Sequence, residues 1–262
     1  MELGLKSKAV LVLASSKGLG KAIAMEFAKE GANVMITSRN EELLHIAVEE
    51  IREETGAHVH AHVCDIKKAD QVKELVQKTV EAFGTVDVLV NNSGGPLGGS
   101  FDDMDDEKWI DAFELTLLSY IRAIREVLPY MRKQQRGHIV NVASTSFKQP
   151  IEGLLLSNTF RTGITGLSKT LSQEFAQDNI LINTIGPGKF ATDRVIEIDR
   201  LQAESKGKGF EQFQQASQKA IPIGRYGDPS EFAKAVVFLS SGANTYITGQ
   251  AILVDGGATK AL

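Results

Sequence analysis

Cysteine is almost absent from the 262-residue chain, with Cys64 as its single example. One thiol closes no intramolecular disulfide and builds no zinc site from thiolates. Proline is scarce, at 6 against 24 glycines, and no repeat, low-complexity tract or Pro/Ser-rich linker divides the chain. No stretch approaches the run of about 18 apolar residues that a membrane span needs, and Met1–Lys8 lack the apolar segment of a signal peptide. There is no cationic excess either: Lys+Arg 29 against Asp+Glu 33 gives a net charge of -4. That balance removes the basic footprint of a nucleic-acid binder and the polybasic handle for anionic lipid. The expectation is a soluble, cytoplasmic protein without nucleic-acid or membrane partners, folded as one domain over 1–262.

What is present is ordinary globular composition, 42% hydrophobic and 24% charged, with glycines that favour tight strand-to-helix turns. Lys8–Ala14 is a short apolar run ending in a Ser/Gly turn, as in a strand buried on both faces. Leu19, Ala22, Ile23 and Phe27 then recur at helical spacing, with Gly31 at the stop position. The alternation continues with strands at 33–37, 57–63, 86–91, 138–143, 180–185 and 251–254. Helices are expected over 41–54, along Val72–Phe83, from Trp109 to Gln135 with a bend near Pro129, and through Gly163–Phe175. Asp228-Pro-Ser-Glu231 carries an acid at the N-cap, proline at the first helical position and Glu at the third. Alternating strands and helices imply a doubly wound α/β domain, a parallel sheet of about seven strands covered on both faces. Ligands of such sheets bind at the carboxyl ends of the strands, where the candidate motifs fall.

The turn after the first strand, Ser15-Ser-Lys-Gly-Leu-Gly20, includes Ser16, Lys17, Gly18 and Leu19 and opens a helix. Its glycines let backbone approach a pyrophosphate, and the helix N-terminus favours an anion. The second strand ends in Thr37-Ser-Arg39, without the acid that accepts from a free ribose 2′-hydroxyl. Arg39 offers a planar donor fork suited to a 2′-phosphate, and Lys17 a second cation. Either alone reads as a solvated surface cation; together they favour NADP(H) over NAD(H).

Further landmarks make the chain resemble a short-chain dehydrogenase/reductase along essentially its whole length. Cys64-Asp65-Ile66 resembles the adenine-contacting acid motif, placing Asp65 and Ile66 at the cofactor. Asn91-Asn-Ser-Gly94 resembles the family's Asn-Asn-Ala-Gly, adding Asn92, Ser93 and Gly94. Val140-Asn-Val-Ala-Ser144 resembles the strand that delivers the catalytic serine. Ile185-Gly-Pro-Gly188 with Thr192 resembles the loop that holds the nicotinamide amide, which brings in Pro187, Gly188, Phe190 and Thr192. The ending, Ile247-Thr-Gly-Gln and Val254-Asp-Gly-Gly257, also matches. Among members, the similarity is strongest to 3-oxoacyl-(acyl-carrier-protein) reductases. The resemblance implies a homodimer or homotetramer, a small-molecule carbonyl or alcohol substrate, and a lid over 192–222.

The catalytic pattern departs from the family's. Its Tyr-x-x-x-Lys pair aligns with Ser157 and Arg161, one helical turn apart. Thr116 stands at the family asparagine and Ala14 at the first turn glycine, so of the tetrad only Ser144 remains. Serine is a far weaker acid than a phenol, and arginine stays charged and shuttles no proton. Losing a positioned general acid costs about 10²–10⁴ in rate. Replacement acids in the sequence are Tyr120, for which a packed helical tyrosine is the plainer account, the loop pair Lys148 and Glu152, and Lys189. His45, His58, His60 and His62 form no metal-ligand grouping, His138 begins a strand away from the site, and no metal is expected. The acids of Asp102–Glu107 read as a helix start.

Two functions stand at this point. One is an NADP(H)-dependent oxidoreductase, 3-oxoacyl reductase-like, with Arg161 on the ribose, Ser144 on the substrate oxygen and a non-standard proton source. The other is a catalytically silent nucleotide-binding or regulatory protein. Redox-neutral chemistry, such as a lyase or epimerase reaction, is a third.

Overall fold

Ala9–Val12 forms β1 with all four side chains buried. Its alternation feeds both layers: Val10 and Val12 join the core beneath one set of helices, Leu11 and Leu13 the core beneath the other. The same arrangement repeats along the chain. It runs α1 (Gly18–Lys29), β2 (Asn33–Ser38), α2 (Glu41–Thr55), β3 (Val59–Val63), α3 (Ala69–Phe83), β4 (Val88–Asn91), α4 (Asp106–Phe113) and α5 (Ser119–Lys133). It continues through β5 (Gly137–Val142), α6 (Leu155–Glu174), β6 (Ile180–Pro187), α7 (Asp193–Ser205), α8 (Phe210–Lys219), α9 (Pro229–Leu239) and β7 (Ala251–Val254). This computed structural model describes residues 1–261.

Among the described residues the strands form one parallel sheet in the order β3-β2-β1-β4-β5-β6-β7. One core lies between the sheet and α1, α2 and α9, with Ile23, Phe27 and Phe232 among its largest side chains. The other lies under α3 and α5, around Leu75, Leu89, Val127 and Met131. The order reverses between β1 and β4, which opens a crevice at their carboxyl ends. Among the described residues no helix is long and apolar enough to cross a membrane.

The expected strands are present: β1, β3 and β4 are shorter than expected, β2 and β6 run one and two residues further, β5 starts and ends one residue earlier, and β7 has the expected bounds. The stretch from Trp109 differs. It runs through Pro129 inside α5, and its interruption is a π turn at Glu114–Leu118. Hydroxyls account for the shift: Thr116 Oγ1 donates to the Ala112 carbonyl at 2.6 Å and Ser119 Oγ to that of Leu115 at 2.7 Å, competing with the helix's own amides. Pro129 is exposed, so the carbonyl freed by its missing N–H reaches water. The acidic run does start helices: Ser100 and Asp103 form a capping box, and Asp105 accepts from the Lys108 amide at 2.9 Å. The stretch expected to be a lid folds as two helices, α7 and α8.

Candidate active site at the carboxyl edge of the sheet

The turn after β1 is built from close backbone contacts. Ser15 is buried; its Oγ donates to the Val12 carbonyl at 2.7 Å and accepts from the Thr37 amide at 3.0 Å, joining β1 to β2. Asn92 donates to the carbonyls of Leu13 and Ala14 at 3.2 and 3.1 Å, tying in the loop after β4. A Cβ on Gly20 would lie 2.3 Å from the Ala14 carbonyl oxygen, so only glycine lets α1 start here. Leu19 packs against the core beneath α1. Lys17, the N-cap, is extended and gives the first turn no side-chain cap, while Ser16 is half-buried beside it. The first-turn amides of α1 therefore remain available to an anion.

At the end of β2, Arg39 is exposed and makes no hydrogen bond or ion pair to a described residue, whereas Ser38 and Asn40 bond each other. Asp65 spends one carboxylate oxygen on the Lys67 amide at 3.0 Å, and Ile66 is buried beside it. These features fit a dinucleotide: an uncapped helix start for its diphosphate, and a free guanidinium with no competing acid where a 2′-phosphate would sit.

Around β4, β5 and α6 the arrangement is unusual. Because α6 starts at Leu155, Ser157 and Arg161 fall in its first two turns, and both are buried. Arg161 Nη1 donates to the Val142 carbonyl at 2.8 Å and Tyr120 Oη at 3.0 Å. Nη2 reaches Ser93 Oγ at 3.2 Å and the Gly94 carbonyl at 3.3 Å, while buried Nε has no partner. No carboxylate pairs with this guanidinium among the described residues. Tyr120 is fully buried and donates to the Val142 carbonyl at 2.8 Å, as a packed tyrosine does. Ser144 is half-buried, and its Oγ accepts from the Ser146 amide at 3.1 Å. Ser157 Oγ lies 3.4 Å from Ser146 Oγ, so Ser146 stands between the two serines singled out in the sequence. Thr116 is committed to its own helix.

Pro187 and Gly188 end β6 against the last turn of the chain, where a Cβ on Gly188 would meet the Asp255 backbone at 2.7 Å. The Phe190 ring packs on Phe232 with centroids 5.3 Å apart, which turns its side chain into the core. Thr192 caps α7, and its methyl lies 3.8 Å from the point a Cβ on Gly18 would occupy.

Lys189 belongs to a cluster that sequence reasoning missed. Its Nζ donates to Ser217 Oγ at 2.6 Å, approaches Asp199 Oδ1 at 3.4 Å and lies 5.6 Å over the Tyr226 ring. Asp199 is fully buried and accepts from the Tyr226 hydroxyl. Burial, then the bond to Asp199, pushes the Tyr226 phenol up to about 12. The signal was an acid at an interior position: Asp199 and Ala203, one turn apart, are the buried residues of α7. Lys148 and Glu152 are exposed on the loop after β5. His138 lies at the other end of β5, against the Asn244 carbonyl. Among the described residues no cluster of His, Cys, Asp or Glu is placed to hold a metal.

A family model described as enoyl-(acyl carrier protein) reductase matches residues 13–259. The chain is also 36% identical to a 3-oxoacyl-[acyl-carrier-protein] reductase of Chlamydia muridarum, over 97% of this chain and 98% of that one. The chain belongs to the short-chain dehydrogenase/reductase family. L-sorbose reductase from Gluconobacter frateurii, solved with NADPH and L-sorbose, is similar at TM-score 0.96 and 33% identity over the whole of both chains. An NADPH-bound short-chain oxidoreductase from Pseudomonas aeruginosa PAO1, described as containing an atypical catalytic center, is similar at TM-score 0.89 and 30% identity, covering 99% of this chain and 100% of that one. This short-chain dehydrogenase/reductase is thus an oxidoreductase-type fold, with NADPH-bound reductases among its structural relatives.

Proposed function

We propose that the protein is an NADP(H)-dependent oxidoreductase interconverting a small carbonyl compound and its alcohol, 3-oxoacyl reductase-like in kind, through a non-standard set of catalytic residues. The observation that carries this reading is the crevice itself: an uncapped α1 start, with Lys17 beside it and Arg39 free at the end of β2. The NADPH named for the sorbose reductase and the Pseudomonas oxidoreductase supports it.

When bound, the nicotinamide supplies or accepts the hydride. The protein's part is to hold the diphosphate on the amides of residues 18–20 and the 2′-phosphate on Arg39 and Lys17. Thr192, Pro187 and Gly188 border the nicotinamide side. Ser144, the half-buried member of the serine row, binds the substrate oxygen. Ser157 acts through Ser146 rather than on substrate. Arg161 is a fixed positive charge that favours negative charge developing on a nearby oxygen, and its Nη2, already shared with Ser93 and Gly94, is the nitrogen that would turn to a ribose hydroxyl. The proton comes from water, because the Tyr120 hydroxyl is spent on the Val142 carbonyl and the Lys189 ammonium on Ser217. Association into a homodimer or homotetramer is supported by Ile110, 60% exposed on α4, and Tyr246, 96% exposed near the open edge at β7.

Calorimetric titration with NADPH and with NADH tests the cofactor reading. NADPH should bind more tightly, and Arg39→Ala should remove the difference. A screen of carbonyl substrates should then give turnover that Ser144→Ala abolishes. The second reading, a catalytically silent nucleotide-binding protein, is favoured by one observation: the Arg161 guanidinium is almost fully engaged by protein groups. NADPH binding without turnover of any carbonyl or alcohol would select it.

A further inference from the structure

Arg194 is a cation that the catalytic roles leave over. It is the second residue of α7, is exposed, and makes no hydrogen bond or ion pair to a described residue, although Thr192, Lys189 and Asp199 around it are all engaged. Its guanidinium nonetheless has a defined place. Nη2 lies 3.6 Å from the point a Cβ on Gly95 would occupy, so the side chain reaches from the start of α7 to the loop that follows β4. Two residues earlier, the Thr192 methyl stands 3.8 Å from the corresponding point on Gly18, in the turn that follows β1. One short segment thus touches both walls of the crevice between β1 and β4. A group held by the first-turn amides of α1 lies under that bridge.

Charge and space both point to a phosphate there. The α1 start contributes amides and a partial dipole charge, worth about half an elementary charge. Lys17 is the N-cap residue of that helix start and Arg39 lies beyond the end of β2, while on the β4 side Arg161 is buried and spent on Ser93 and Gly94, so Arg194 is the exposed cation there without a protein partner. A Cβ on Gly94 would meet nothing within 4 Å, so the opposite wall is open enough to admit a ligand beneath the guanidinium. Arginine's planar fork pairs with two phosphate oxygens at once. We infer that Arg194 is a binding residue for the cofactor's diphosphate, closing over it from the lid. The inference rests on the NADP(H) reading above.

The test is calorimetric titration of the wild-type chain, Arg194→Ala and Arg194→Lys with NADPH and, separately, with adenosine 2′-monophosphate, which keeps the 2′-phosphate but carries no 5′-phosphate and so neither half of the diphosphate. Arg194→Ala should raise the Kd for NADPH about 5- to 30-fold, as expected for one half-solvated charge-assisted contact. It should leave the 2′-monophosphate Kd unchanged, flatten the salt dependence of NADPH binding, and be partly rescued by Arg194→Lys. Equal NADPH affinity in wild type and Arg194→Ala overturns the inference. So does an equal loss for both ligands, which places the effect at the adenosine end. A loss confined to the KM of a carbonyl substrate also overturns it, by assigning Arg194 to an anionic substrate group. If the wild-type chain binds neither ligand, the NADP(H) reading itself fails, a result separate from the Arg194 comparison.

Discussion

Ala14 has φ +47, in the left-handed region that favours glycine. A Cβ there costs about 1–2 kcal/mol. The conformation persists because the Ala14 carbonyl is fixed by Asn92 and closely packed by Gly20. Ala14→Gly should therefore stabilise the fold by about 0.5–1 kcal/mol, the relieved strain less the greater chain entropy of glycine. Urea denaturation checks it, and an unchanged or lower midpoint would show that the turn is not strained. At the same scale, the spacing of Ser157 and Arg161, one helical turn apart, was readable from the sequence. That Arg161 reaches four protein oxygens, and that Ser146 separates Ser157 from Ser144, was not, because side-chain direction depends on how α6 meets β5.

Helix ends supply the chain's clearest local chemistry. At α9, Asp228 accepts from the Ser230 amide at 2.8 Å and Glu231 returns to the Asp228 amide at 2.7 Å, with Pro229 between them. Arg225 adds a two-pronged contact to Glu231 at 2.7 and 2.8 Å. That guanidinium, with the backbone amide, holds the Glu231 carboxyl down to about 2, against its usual 4.5. A carboxyl lowered on folding contributes stability above its unfolded value, and the contribution is lost as pH falls through the folded one. Wild type should thus exceed Glu231→Gln in melting temperature near neutrality. The gap should narrow below about pH 4.5 and close near pH 2, as thermal melts across that window would show. A gap that stays constant with pH would deny the carboxylate its role. This cap was readable from four consecutive residues, since a capping box is a local pattern. The π turn at Glu114–Leu118 escaped notice because Thr116 and Ser119 carry no mark that their hydroxyls will compete for helix carbonyls.

Across the whole molecule, α7 and α8 are tied to the sheet by a buried group. Asp199 joins α7 to Tyr226, in the loop before α9, and to Lys189, at the end of β6. Removing the carboxylate leaves a buried hydroxyl and an ammonium without their partner, so α7 and α8 should loosen while the two cores stay intact. Asp199→Ala should be cleaved faster within 192–222 in limited proteolysis, with little change in the urea midpoint of the chain. Cleavage at the wild-type rate would remove the latch, and a collapsed midpoint would make Asp199 part of the global fold.

Strand–helix alternation, binary patterning and the glycine turn are local or periodic features. They made the doubly wound sheet and the glycine turn at the carboxyl end of its first strand legible from residues alone. The order of strands, the serine row, the buried Arg161 network, the Asp199 cluster and the reach of Arg194 toward Gly95 involve residues far apart in the chain. No short-range pattern encodes such distances; they exist only once β1, β4, β5 and β6 lie side by side and α7 folds back across their ends.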